Sequence, residues 1–129
     1  MRKVIQPKGL SDPRPRYSHG ILVTKPGKVL FIAGQTSVDG QGNIVGKGDI
    51  EAQAKQVFEN IKAVLKEVGG SIENIVKTTT YITDIKYRDG LAKVRRQYYK
   101  KISPTSTLIV VKGLAHEDYL LEIECIAVL

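Results

Sequence analysis

From Asp49 to Gly70 the apolar residues Ile50, Ala54, Val57, Phe58, Ile61, Leu65 and Val68 recur at helical spacing. The i, i+4, i+7 rhythm predicts an α-helix with a single apolar stripe. Asp49 stands at its N-cap position with Glu51 in the first turn, and Gly69-Gly70 ends it. Lys55, Glu59, Lys62 and Lys66 fall on the outer face. A helix that is apolar on one side must lie on something flat. That requirement governs what the remaining segments build.

The flat partner is a β-sheet. "YSHGILVT" (17–24) and "KVLFIAGQ" (28–35) are β-branched, apolar runs, and Pro26-Gly27 between them predicts a hairpin. "TSVDGQGNIVGKG" (36–48) holds four glycines and reads as a loop, while "IVKTTTYIT" (75–83) has strand composition. Tyr87, Leu91, Val94 and Tyr98 form a second helical stripe, with Gly90 weakening its first turn. "TLIVV" (107–111) is apolar at consecutive positions and predicts a strand covered on both faces. In "LLEIECIAVL" (120–129) Leu121, Ile123, Cys125, Ala127 and Leu129 share one face; Glu122, Glu124, Ile126 and Val128 share the other.

With a short strand at 3–6, the order is β-β-α-β-α-β-β. It predicts a single α+β domain over residues 1–129, a two-layer sandwich of one mixed sheet with two helices on one face. The other face then exposes Ile126 and Val128 together with Leu108/Val110 or Ile109/Val111. An apolar face of that kind predicts a symmetric oligomer.

Composition excludes several functional classes. No apolar stretch is long enough to span a membrane, and residues 1–10 lack the apolar core of a signal peptide, so a cytoplasmic protein is expected. Cys125 is the only cysteine, and His19 and His116 are isolated, so neither a disulfide nor a metal site is expected. The net charge of +7 concentrates in "KYRDGLAKVRRQYYKK" (86–101), seven Lys/Arg against Asp89. Such a segment is either a nucleic-acid-binding stripe or the solvated face of a helix, and no nucleic-acid motif accompanies it.

Chemistry centres on the last strand. Glu122 and Glu124 leave the same face about 7 Å apart. They read either as an acid–base pair or as two surface acids paired with Lys or Arg. Cys125, on the opposite face, reads as a core thiol. Ser103, Thr105, Ser106 and Thr107 in "SPTSTLIVV" are unusually polar for the entry to a buried strand.

"RYSHGILV" (16–23), "FIAGQTSVD" (31–39), "GDIEAQAKQVFENIKAVL" (48–65), "IVKTTTYITD" (75–84) and "LLEIECIAV" (120–128) resemble, in order, the motifs of the Rid (reactive intermediate deaminase, YjgF-type) family. The resemblance implies a chorismate-mutase-like fold and a homotrimer with ligand sites in the clefts between subunits. It also implies hydrolysis of imines and enamines such as 2-aminoacrylate and 2-iminopropanoate to keto acids and ammonia, with no cofactor. By that resemblance Glu122 positions or activates the attacking water and Tyr17 lines the pocket. Ala33, Gly34, Ser106 and Thr107 complete the ligand-binding set. Ala33 replaces a small hydroxyl residue of the family, and Ser106 stands where the family carries the arginine that grips a substrate carboxylate. Arg14, Arg16 and Lys112 are the cations left for that role. Three readings follow, in this order: an imine or enamine hydrolase with altered substrate preference, a small-ligand-binding module without turnover, and an RNA-directed protein.

Overall fold

The computed structural model describes residues 1–129. Its first long helix, α1 (Ile50–Glu67), starts where the Asp49 side chain accepts a hydrogen bond from the Ala52 amide at 3.1 Å, and it ends at Val68. Ala54, Val57, Phe58, Ile61 and Leu65 are all buried, so the stripe read from the sequence is the buried face. Val68 is exposed and lies outside it. The second helix, α2 (Arg88–Tyr98), buries Leu91 and Val94 and lays the Tyr98 ring flat on Phe58, centroids 4.8 Å apart. Gly90 is required here by a close approach. A Cβ at that position would lie 2.7 Å from the Ile50 side chain at the start of α1.

The strands are β1 (Arg2–Ile5), β2 (Gly20–Val23), β3 (Val29–Gln35), β4 (Ile75–Ile82), β5 (Thr105–Val110) and β6 (Leu121–Val128). Four of them form a mixed sheet in the order β3-β6-β4-β5, antiparallel except for the parallel β4–β5 pair. The helices cover one face of it, an α+β sandwich of the chorismate-mutase-like kind. Cys125 is buried in that core, where burial above all pushes its thiol up to about 12. Gln53 is the buried polar hub of the fold. Its amide donates to the Gly46 and Asp118 carbonyls and accepts from the Leu120 amide, tying two loops to α1. No helix is long and apolar enough to cross a membrane.

Two expectations are corrected. The 17–24/28–35 hairpin does not form: β2 pairs antiparallel with β1 in a separate ribbon, and β3 pairs with β6. Past the Pro26-Gly27 turn the chain is captured by the C-terminus, with Lys28 and Leu129 exchanging backbone hydrogen bonds at 3.2 and 3.0 Å. Nor is "TLIVV" covered on both faces. β5 is an edge strand, and Leu108, Ile109 and Val110 are exposed within the protomer.

Candidate functional site

The register sorts the side chains of the sheet into two sets. Thr78 and Thr80 are buried beneath the helices, and their β5 partners are Ser106 and Leu108. Lys77, Thr79 and Tyr81 alternate to the bare face, opposite Thr105, Thr107 and Ile109 on one side and Ile126, Glu124 and Glu122 on the other. Of the two apolar pairs open in the sequence, Ile109 is thus the residue that joins Ile126 and Val128. Phe31, paired with Ile126, adds a ring that is 75% exposed.

The bare face carries the carboxylates. Its hollow, about 430 Å³, is lined by residues that include Phe31, Ala33, Lys77, Thr79, Glu124 and Ile126. Glu124 accepts a hydrogen bond from the Tyr81 hydroxyl at 2.9 Å. That bond, desolvation and the charges of Glu124 and Glu122 hold the Tyr81 phenol above its usual value. Glu122 is half-buried and lies against the β3 bulge. A Cβ on Gly34 would fall 2.3 Å from its carboxylate oxygen, so only glycine admits Glu122 in this position. Ala33, Gly34, Glu122 and Thr107 therefore share the bare face.

Tyr17 and Ser106 meet elsewhere. The segment leading into β2 is stitched to the start of β5: the Ser18 amide donates to the Pro104 carbonyl at 3.2 Å, the Ser18 hydroxyl to the Ser103 carbonyl, and the Ser103 hydroxyl to the Pro15 carbonyl at 2.9 Å. These bonds bring Tyr17 and Arg16 to the mouth of a cleft of about 700 Å³ between α2 and β5, with Ser106 and Leu108 on its strand side. Of the four hydroxyls in "SPTSTLIVV", two are thus spent on backbone, Ser103 on Pro15 and Thr105 on the Val76 carbonyl at 2.7 Å. Thr107 is on the bare face and Ser106 alone lines the cleft.

Among the cations considered from sequence, Arg16 reaches this cleft. Arg14 instead pairs with Asp12, and Lys112 is exposed beyond β5. Sequence reasoning missed Arg88, Arg95, Arg96 and Lys100, which also line it. A signal was present: Arg88, Ala92, Arg95, Arg96 and Tyr99 recur at helical spacing on a face adjacent to the buried one. The Tyr99 phenol lies beneath them, and burial pushes it far above its usual value while the charge of Arg95 and a hydrogen bond with Thr78 oppose the shift. His19 and His116 sit on separate loops, against Ser11 and Asp118 respectively, and no group of three or more metal-ligating side chains gathers anywhere.

The family model described as Endoribonuclease L-PSP matches residues 10–129. A RutC family protein of Pyrococcus horikoshii is 37% identical over 127 residues, 98% of each chain. Among solved structures, YyfB of Yersinia pestis, a protein of unknown function of the Rid family, superposes with a TM-score of 0.89 at 31% identity, covering 99% of this chain and 98% of that one. A second Rid family protein of that organism, YyfA, matches with a TM-score of 0.75 at 32% identity over the whole of both chains.

Proposed function

The chain belongs to the L-PSP family, that of the Rid and RutC proteins, and from this premise we propose that it is an imine or enamine hydrolase acting as a homotrimer. The observation that carries the reading is the sorting of its site residues onto opposite faces of one sheet. Glu122 leaves the bare face, whereas Tyr17 and Ser106 line the cleft on the helix side. Within one protomer they do not meet. A composite site needs Glu122 of one subunit beside the cleft of its neighbour, and the exposed Phe31 and Ile109, with the half-buried Ile126, supply the apolar face for that association.

In that arrangement the cleft holds the substrate and Glu122 holds the water. The carboxylate accepts a proton from water as its oxygen attacks the carbon of the protonated C=N bond. The tetrahedral carbinolamine then takes that proton on nitrogen, the C–N bond breaks with its electron pair going to nitrogen, and the C=O bond forms as the hydroxyl gives its proton back to the Glu122 carboxylate. Ammonia leaves with a ketone or aldehyde as the other product, and the proton of the original C=N group ends on ammonium once Glu122 releases it. The reaction consumes one water and needs no cofactor. Decay of an imine generated in situ, followed in the presence of the protein, tests this. Acceleration that is lost in Glu122→Gln supports the hydrolase. A correctly assembled protein that binds keto acids yet accelerates nothing is a binding module.

A second reading takes up the family description, cleavage of RNA, and the observation in its favour is the cationic lining of the cleft. It lacks a histidine pair for general acid–base cleavage, since His19 and His116 lie on separate loops. RNA held only by these cations would be released between low and physiological salt. Salt-resistant, sequence-selective binding favours the second reading.

A further inference from the structure

The seven cations of segment 86–101 do not form one solvated stripe. Lys93 reaches Glu51 at 3.1 Å, Lys101 reaches Glu73 at 3.8 Å, Arg88 lies 3.8 Å from Asp89, and Lys86 sits over the Tyr87 ring. Arg95, Arg96 and Lys100 have no carboxylate partner, and neither does Arg16, which arrives from the other side. Those four and Arg88 surround the α2–β5 cleft, and Asp89 is the one carboxylate in its lining. Ala92, at the middle of the arginine-bearing face of α2, leaves the space that they enclose.

We propose that this cleft binds a small molecule carrying a phosphate group, gripped by Arg16, Arg95 and Arg96, and that these guanidiniums take over the anion clamp missing at Ser106. The inference rests on the reading above in placing the substrate here, and it narrows that substrate to a phosphate-bearing imine or enamine. Geometry favours phosphate over a lone carboxylate. A carboxylate is planar and is satisfied by one bidentate guanidinium, which would leave the remaining cations uncompensated. The terminal oxygens of a phosphate point in tetrahedral directions and accept from donors on two sides, here α2 and the segment carrying Arg16.

Charge and size agree. Arg95 and Arg96 at the end of α2, Lys100 just past it and Arg16 opposite crowd like charges around one cleft, a repulsion that a bound anion offsets. Arg95 is half-buried. Burial, followed by repulsion from Arg96 and Arg16, lowers its guanidinium below the usual value although Tyr99 acts the other way; it remains charged at neutral pH. A dianion relieves this repulsion. The Ser106 and Tyr17 hydroxyls have no partner in the protomer and are free to bond the rest of the ligand. A cleft of about 700 Å³ also leaves most of its space empty around a three-carbon imino acid.

The test is calorimetric titration of the intact protein with inorganic phosphate, and separately with acetate, at ionic strength held constant with potassium chloride. Phosphate is expected to bind at least tenfold more tightly than acetate. Arg95→Met and Arg16→Met, on different segments, are each expected to weaken phosphate about ten- to a hundredfold. Arg95→Lys should recover part of the loss. Lys62→Met, on the outer face of α1, should change it less than twofold. Phosphate binding no better than acetate, or weakened as much by Lys62→Met as by Arg95→Met, overturns the proposal, because the attraction is then diffuse. Affinity for single-stranded RNA that grows with length while phosphate alone does not bind overturns it too, in favour of the nucleic-acid reading. Turnover of an uncharged imine, which needs no anion clamp, scores the hydrolase reading separately.

Discussion

Strand β6 presents two different surfaces from one stretch of chain. Toward the helices it offers Leu121, Ile123, Cys125 and Ala127, none more than 3% exposed. Toward the other side it offers Glu122, Ile126 and Val128, each half-buried, and the exposed Glu124, with no helix packed over them. The period of two in a strand lets neighbouring residues answer to different demands. One set is held to shape and volume by close packing; the other is free to be polar, charged or adhesive. Stability and chemistry are thus separated by one residue, and the separation is measurable.

The largest expected effect lies on the bare face. Glu122→Gln keeps the shape of the side chain and removes its basicity, so imine hydrolysis should fall about 10²- to 10⁴-fold. The melting temperature should stay within a degree or two. A comparable loss of stability would mean that Glu122 belongs to the fold, and the two surfaces would not be separable. The neighbouring residue should behave in the opposite way. Ile123→Ala opens a cavity beneath α1 and is expected to cost about 2–5 kcal/mol, read as a lower denaturation midpoint at unchanged slope. Activity per folded molecule should persist.

Cys125 gives the covered face a pH signature. Its thiol is held up to about 12 by burial, against an unperturbed value of 9.0. The native state therefore keeps a proton that the unfolded chain releases. Its contribution to stability is complete below about pH 9 and is lost as the pH rises toward 12, on the order of a few kcal/mol. Urea midpoints measured from pH 8 to 11 should fall, and Cys125→Ala should flatten that fall. An equally steep decline in the variant would assign it to other groups.

The smallest change in folding energy should come with the clearest change in assembly. Phe31→Ser on the bare face is expected to move protomer stability by less than about 0.5 kcal/mol. Light scattering of the unmodified protein should give about three times the 14.2 kDa chain mass, and the variant should shift toward the single-chain value. An unmodified protein that is a stable monomer at micromolar concentration would remove the basis for a composite site.

Periodicity carried the sequence reading wherever an element makes its own pattern. The α1 stripe as far as Leu65, the alternation in β6 and the inward-facing Cys125 all follow from side-chain spacing and stand in the structure as expected; Val68, at the C-cap, falls outside the stripe. The hairpin failed because Pro26-Gly27 encodes a turn without encoding partners. Leu129, at the far end of the chain, took the place next to Lys28. The covering of β5 was misread for a related reason, since a run of apolar residues reports two unsatisfied faces, not what satisfies them. In the cleft, the arginines of α2 were visible as charges but not as a cluster. Their convergence with Arg16 depends on the bonds of Ser18 and Ser103, which join segments more than eighty residues apart. The sulfur in the core was legible; the cations in the cleft were not.

Those few serine bonds have a consequence for motion. The N-terminal segment that carries Arg16 and Tyr17 pairs with none of the four strands of the main sheet, and β1 and β2 bond only to each other. Opening it breaks a handful of contacts and leaves the core beneath α1 intact, so its amides should exchange hydrogen well before those of β4 and β6. The side of the cleft formed by Pro15, Arg16 and Tyr17 is thereby mounted on a part that can detach and redock while the domain stays folded. A ligand bridging Arg16 and Arg95 would fasten that part down, and the slowing of exchange between Pro15 and Val23 would report its arrival.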